Sequence, residues 1–132
     1  QLSFGLVDMA WHSVTSPVSG SIQAFENQAM APTESFPPVD SSCFSTGFGH
    51  IFGGGYAAGY YSYKWAEVLD ADAFSVFKQQ GIYDQATAES FRKNILEKGG
   101  SEHPMTLYKR FRGQEPTVDA LLERSGLKSK SE

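Results

Sequence analysis

Phe48-Gly49-His50-Ile51-Phe52-Gly53-Gly54-Gly55-Tyr56-Ala57-Ala58-Gly59-Tyr60-Tyr61-Ser62-Tyr63-Lys64-Trp65 is the most unusual stretch of this 132-residue chain. Three glycines in a row break the pattern before them. Beyond them Tyr56, Tyr60 and Tyr63 recur at i, i+4 and i+7, a spacing that predicts a helix with three phenols on one stripe. Tyr61 and Trp65 fall on a second stripe, rotated away. Apolar positions continue through Val68, Leu69, Phe74 and Phe77 until Gly81 supplies a C-terminal stop.

Outward from this stretch the same logic holds. Leu6-Val7-Asp8-Met9-Ala10-Trp11-His12 reads as the tail of a helix. Ser19 or Ser21 can cap a helix with Ile22, Phe25, Ala29 and Met30 on one face, ended by Pro32. Thr33 to Ser42, with Pro37-Pro38, is an extended connection. Downstream, Asp84 caps a helix with Phe91, Ile95 and Leu96 inward, closed by Gly99-Gly100. Pro104 suits the first turn of a helix through Tyr108 and Phe111. Pro116 starts a last helix with Val118, Leu121 and Leu122, ended by Gly126. The fold class is all-α, with residues 1–127 as one part and 128–132 as a solvated tail.

Charge is unevenly spread. Gln1 to Tyr63 contains no Lys or Arg, and its acids are Asp8, Glu26, Glu34 and Asp40. All 11 basic residues fall between Lys64 and Lys130. A free-standing domain normally intersperses charges of both signs over its surface, so the first half reads as interior or cleft wall of something larger. The net charge of −4 argues against nucleic acid or an anionic membrane as partner. No apolar run approaches a bilayer span. The single Cys43 has no internal partner and reads as a structural thiol. The chain starts at Gln1 without Met or a basic leader, so no targeting segment is read and a missing true N-terminus is left open.

Chemistry concentrates in the quoted stretch. A phenol, neutral at ordinary pH with a pKa of roughly 10, can donate to a developing oxyanion without a charged partner. The competing reading is ordinary packing with the hydroxyls satisfied locally. Gly53, Gly54 and Gly55 suggest backbone that bends tightly or lies against an extended peptide, although a plain flexible connection has the same composition. His50, between Phe48 and Phe52, is favoured as functional by its neighbours. His12 reads as a helix-end residue and His103 as a loop residue. There is no His-Glu-x-x-His, no Cys/His cluster and no credible nucleophile signature. Arg110 and Arg112 suit salt bridges between short helices better than a ligand carboxylate.

From His50 to Tyr63 the sequence closely resembles the C-terminal signature of the thimet oligopeptidase family of zinc metallopeptidases, in a form most like its bacterial peptidyl-dipeptidase branch. The likeness runs from about Phe4 to Gly126, through Asp8-Met9-Ala10-Trp11-His12, Ala24-Phe25-Glu26 and Phe111-Arg112-Gly113. It implies the C-terminal helical part of a larger, mostly helical, two-lobed enzyme with a deep substrate channel. It implies that His50 hydrogen-bonds the substrate backbone, that Tyr63 with Tyr56 faces the tetrahedral intermediate, and that Tyr60 shapes the same wall. Gly53, Gly54 and Gly55 are assigned to substrate binding. Zinc belongs to the full-length parent, its ligands being expected upstream of this segment.

The resulting expectation is a substrate-binding, oxyanion-stabilising part of a zinc peptidase that releases C-terminal dipeptides, inactive as an isolated chain. Its partners would be a peptide substrate and the missing N-terminal part, and exposed former interior would drive self-association. The compartment expected is the cytoplasm, with the periplasm left open. The alternative is a non-catalytic helical module that grips extended peptides.

Overall fold

In the computed structural model, which describes residues 1–128, the chain is helical, with no strand among the described residues. It divides into two compact units that meet in sequence at Trp65/Ala66.

The first unit opens with α1 (Leu2–Ser13). Ser21 caps α2 (Ile22–Met30), its hydroxyl accepting from the Ala24 amide at 3.3 Å. Pro32 converts the continuation into a 3-10 turn, Ala31–Thr33, because proline has no amide for the α-helical ladder. After the extended connection come the four-residue α3 (Phe44–Gly47) and a 3-10 turn, Gly49–Ile51. Val7, Ile51 and Tyr60 are buried, and the Phe4, Phe44, Phe48 and Tyr60 rings pack against one another at 4.8–5.9 Å.

Two buried carboxylates tie this unit together. Glu26 accepts from the Phe44 amide (2.8 Å), the Ser45 amide (3.1 Å), Trp11 Nε1 (3.1 Å) and Cys43 Sγ (3.2 Å), so α2 caps the start of α3. Burial alone would raise its pKa; the hydrogen bonds from Ser45, Cys43 and Trp11 outweigh it and hold Glu26 below the ordinary glutamate range. The expected structural thiol is therefore a donor in a specific network.

The helix predicted to begin at Tyr56 begins at Ser62. Helix α4 (Ser62–Gln80) is preceded by turns over 56–61, with Ala58 in the left-handed region at φ 53°. Residues in that conformation cannot continue a right-handed helix. The tyrosine stripe is thus not a stripe of one helix.

In the second unit Gly81 ends α4, its amide donating to the Phe77 carbonyl at 2.8 Å. Asp84 caps α5 (Gln85–Phe91) through the Thr87 amide at 2.7 Å. Arg92–Leu96 then winds as a π-helix. Its wider turn shifts the register, so Ile95 is half-buried while Leu96, expected inward, is exposed. Pro104 opens α6 (Pro104–Arg112), which stops at Gly113, φ 81°. The last helix, α7 (Asp119–Arg124), starts three residues beyond Pro116, leaving Val118 exposed. Phe77, Phe91 and Phe111 pack ring against ring in this unit, where Leu107 and Val68 are also buried. Buried Asp72 accepts from Tyr108 Oη (2.6 Å) and Arg112 Nε (3.1 Å). Arg112 therefore does link helices, α6 to α4, whereas Arg110 pairs with Glu102 just before its own helix. In the expected tail Lys128 pairs with Asp119; the remainder of 128–132 lies outside the described residues.

Candidate functional site

All seven residues singled out by sequence lie in the first unit. The glycine loop leaves the 3-10 turn that holds His50, and Gly53, Gly54 and Gly55 are exposed. Gly54 and Gly55 have φ of 96° and 86°, which side-chain-bearing residues rarely adopt. A Cβ at either would meet nothing within 4 Å. The need for glycine there is conformational and not a matter of space.

Where the loop returns, the aromatic rings converge. His50 meets Tyr56 edge-on at 4.6 Å between centroids, and lies 6.1 Å from Tyr60 and 6.4 Å from Tyr63. Tyr60 and Tyr63 are 5.0 Å apart, and Tyr56 stacks on Tyr63 at 5.5 Å. His50 is exposed, Tyr56 and Tyr63 half-buried, and Tyr60 buried. The cluster thus has an inner member against the Phe4 and Phe48 rings and an outer face of one imidazole and two phenols. Tyr61 and Trp65 stay exposed.

A hydrogen bond with the Tyr56 hydroxyl, then partial burial, push the Tyr63 pKa above the ordinary phenol value. Tyr63 therefore keeps its proton at neutral pH.

Sequence reasoning missed a buried carboxylate bonded to the turn that carries this cluster. Asp8, fully buried in α1, accepts from the Ala58 amide at 3.0 Å and the Tyr60 amide at 2.9 Å. Its Oδ1 also lies 2.8 Å from His12 Nδ1. The available signal was an acid four residues before a histidine in an otherwise apolar helix. His103, expected in a loop, caps α6, its Nδ1 accepting from the Met105 amide at 3.3 Å.

Among the described residues no three His, Cys, Asp or Glu side chains gather in a way that would hold a metal ion, so they do not fit a metal centre of their own. No helix among them is long and apolar enough to cross a membrane.

A family model described as Peptidase family M3 matches residues 1–127. Oligopeptidase A of Escherichia coli is 48% identical over 97% of this chain, and that of Salmonella typhimurium 47% over 97%. Dipeptidyl carboxypeptidase of Salmonella typhimurium is 41% identical over 96%. The chain spans 19% of the length of each of these relatives. A match that runs almost from end to end, through the glycine loop and the tyrosine cluster, leaves one conclusion: the chain belongs to peptidase family M3.

Proposed function

We propose that the protein to which this chain belongs hydrolyses peptides, and that this chain supplies the wall that binds the substrate backbone and stabilises the reacting carbonyl. The observation that carries the reading is the convergence of His50, Tyr56 and Tyr63 beside an exposed glycine backbone. An extended peptide can pair with the Gly53 carbonyl and with the amides and carbonyls of Gly54 and Gly55 as an added strand does; the Gly53 amide already donates to the Gly49 carbonyl at 2.9 Å. His50 hydrogen-bonds the substrate backbone. Tyr63, held protonated, turns its single O–H from Tyr56 to the carbonyl oxygen as negative charge develops there, with Tyr56 beside it. Tyr60 backs this wall without reaching solvent.

Zinc, which the likeness assigns to the whole enzyme, would be held by residues outside this chain and supply Lewis-acid activation of the carbonyl and water. A further support is the apolar surface the first unit leaves bare. Leu2, Leu6 and Met9 follow each other at i, i+4, i+7 on α1, all exposed, as are Phe36 and Val39. The remainder of the protein would cover them, and residues 1–127 would serve as part of its catalytic domain.

Release of C-terminal dipeptides is supported by the relatives named dipeptidyl carboxypeptidase. The higher identity to proteins named oligopeptidase A favours cleavage inside short peptides as a second reading. Product analysis on the whole protein with free and amidated C-termini separates the two: dipeptide release requires the free carboxylate, whereas internal cleavage tolerates the amide. No hydrolysis of either substrate, with zinc supplied, would refute the reading.

A further inference from the structure

The turn that carries Tyr56 and Tyr60 is only partly held by its own hydrogen bonds. Gly59 donates back to the Tyr56 carbonyl at 2.8 Å, but Ala58 sits at φ 53°, a conformation that disfavours an alanine. The Ala58 and Tyr60 amides find their acceptors 50 and 52 positions away, on the two oxygens of Asp8. Asp8 has 0% exposure, so water has no access to substitute for it. His12, one helical turn on, stands 2.8 Å from Oδ1 through Nδ1, which also meets the Asp8 backbone carbonyl at 2.8 Å.

We propose that Asp8 is the positioning residue of the tyrosine wall: its carboxylate clamps the 56–60 turn and thereby fixes Tyr56 and Tyr60 against Tyr63. Both oxygens are engaged inside the protein, so Asp8 acts through these rings and never touches substrate. Asparagine cannot replace it. It offers one acceptor oxygen and sets an N–H against an N–H, leaving a buried amide unpaired. The inference rests on the peptide-hydrolysis reading above for its catalytic consequence, although the clamp itself does not.

The test uses the whole protein. Asp8→Asn is expected to lower kcat on the order of 10-fold to 100-fold with KM little changed, since small misplacements of catalytic groups cost that much. The double variant Asp8→Asn/Tyr63→Phe should lose no more than Tyr63→Phe alone, because both changes remove one function. Multiplying losses, or an unchanged kcat in Asp8→Asn, would overturn the proposal. Hydrogen exchange reads the clamp without reference to activity, and in the unsubstituted protein it remains informative even where Asp8→Asn does not fold. The Ala58 and Tyr60 amides should be protected despite lying in a turn; exchange as fast as at Gly54 and Gly55 would refute the clamp. Protection combined with full turnover in Tyr63→Phe would sink the functional reading and leave the clamp standing.

Discussion

The rings of Tyr56 and Tyr63 lie stacked, 5.5 Å between centroids and 18° from parallel, although only Tyr63 belongs to a helix. A turn with a left-handed alanine brings together what the i, i+7 spacing places on a helical face. Two phenols reach one outer surface, one supporting the other's proton.

If Tyr63 donates to the reacting carbonyl, Tyr63→Phe in the whole protein should reduce kcat by about 10² to 10³, the cost of losing an oxyanion donor. KM should change little, and the melting temperature should stay near that of the unsubstituted protein. Steady-state kinetics and a thermal scan decide it; an undiminished kcat would exclude the role.

Tyr63 should ionise above the ordinary phenol value of 10.0. The raised pKa means that the fold favours the neutral form, so the proton is retained through neutral and mildly alkaline pH. Because the Tyr56 hydrogen bond is its largest cause, Tyr56→Phe should bring the ionisation back toward 10.0. Phenolate absorbance, taken as a difference against Tyr63→Phe, reports the shift.

Ser21, Gly81, Asp84 and Pro104 stand where their side-chain chemistry placed them, because caps and stops act over three or four residues. Clustering of His50 with three tyrosines was anticipated, but by the wrong backbone. The turn at 56–61 depends on a carboxylate 50 residues upstream, and no local pattern encodes that. The exposure of Leu96 likewise follows from a π-turn, which hydrophobic periodicity does not register.

Glu26→Gln should destabilise the first unit by about 1–3 kcal/mol, since one amide oxygen cannot serve the donors now shared by two carboxylate oxygens. The folded carboxyl lies below its ordinary 4.5, so its ionisation contributes stability above that pH. The contribution fades as acidification passes below 4.5 and approaches the depressed value. Denaturant titrations across this window should show the acid loss shrinking in Glu26→Gln.

In the second unit, Arg112→Ala strands the buried Asp72 carboxylate and should cost about 3–5 kcal/mol. Arg110→Ala removes a pair whose members remain substantially exposed and should leave stability almost unchanged. Urea midpoints of the two variants test the difference.

The chain by itself, whether or not zinc is added, should cleave no peptide, and its bare α1 face should drive association. Sedimentation velocity should show species heavier than the monomer. Turnover by the isolated chain would contradict the assignment of the metal's ligands to other residues.

The two units balance their buried negative charge by different means. Asp8 and Glu26 rest mainly on backbone amides, with an indole, a thiol and an imidazole nearby. Asp72 instead takes an arginine, and the second unit carries several solvent-facing ion pairs besides. Dissolved electrolyte weakens attraction between solvated ions but has little hold on dipoles sealed from water. Raising ionic strength should therefore loosen the second unit's exposed ion pairs while the bonds that shape the tyrosine wall persist, leaving that wall tolerant of brine.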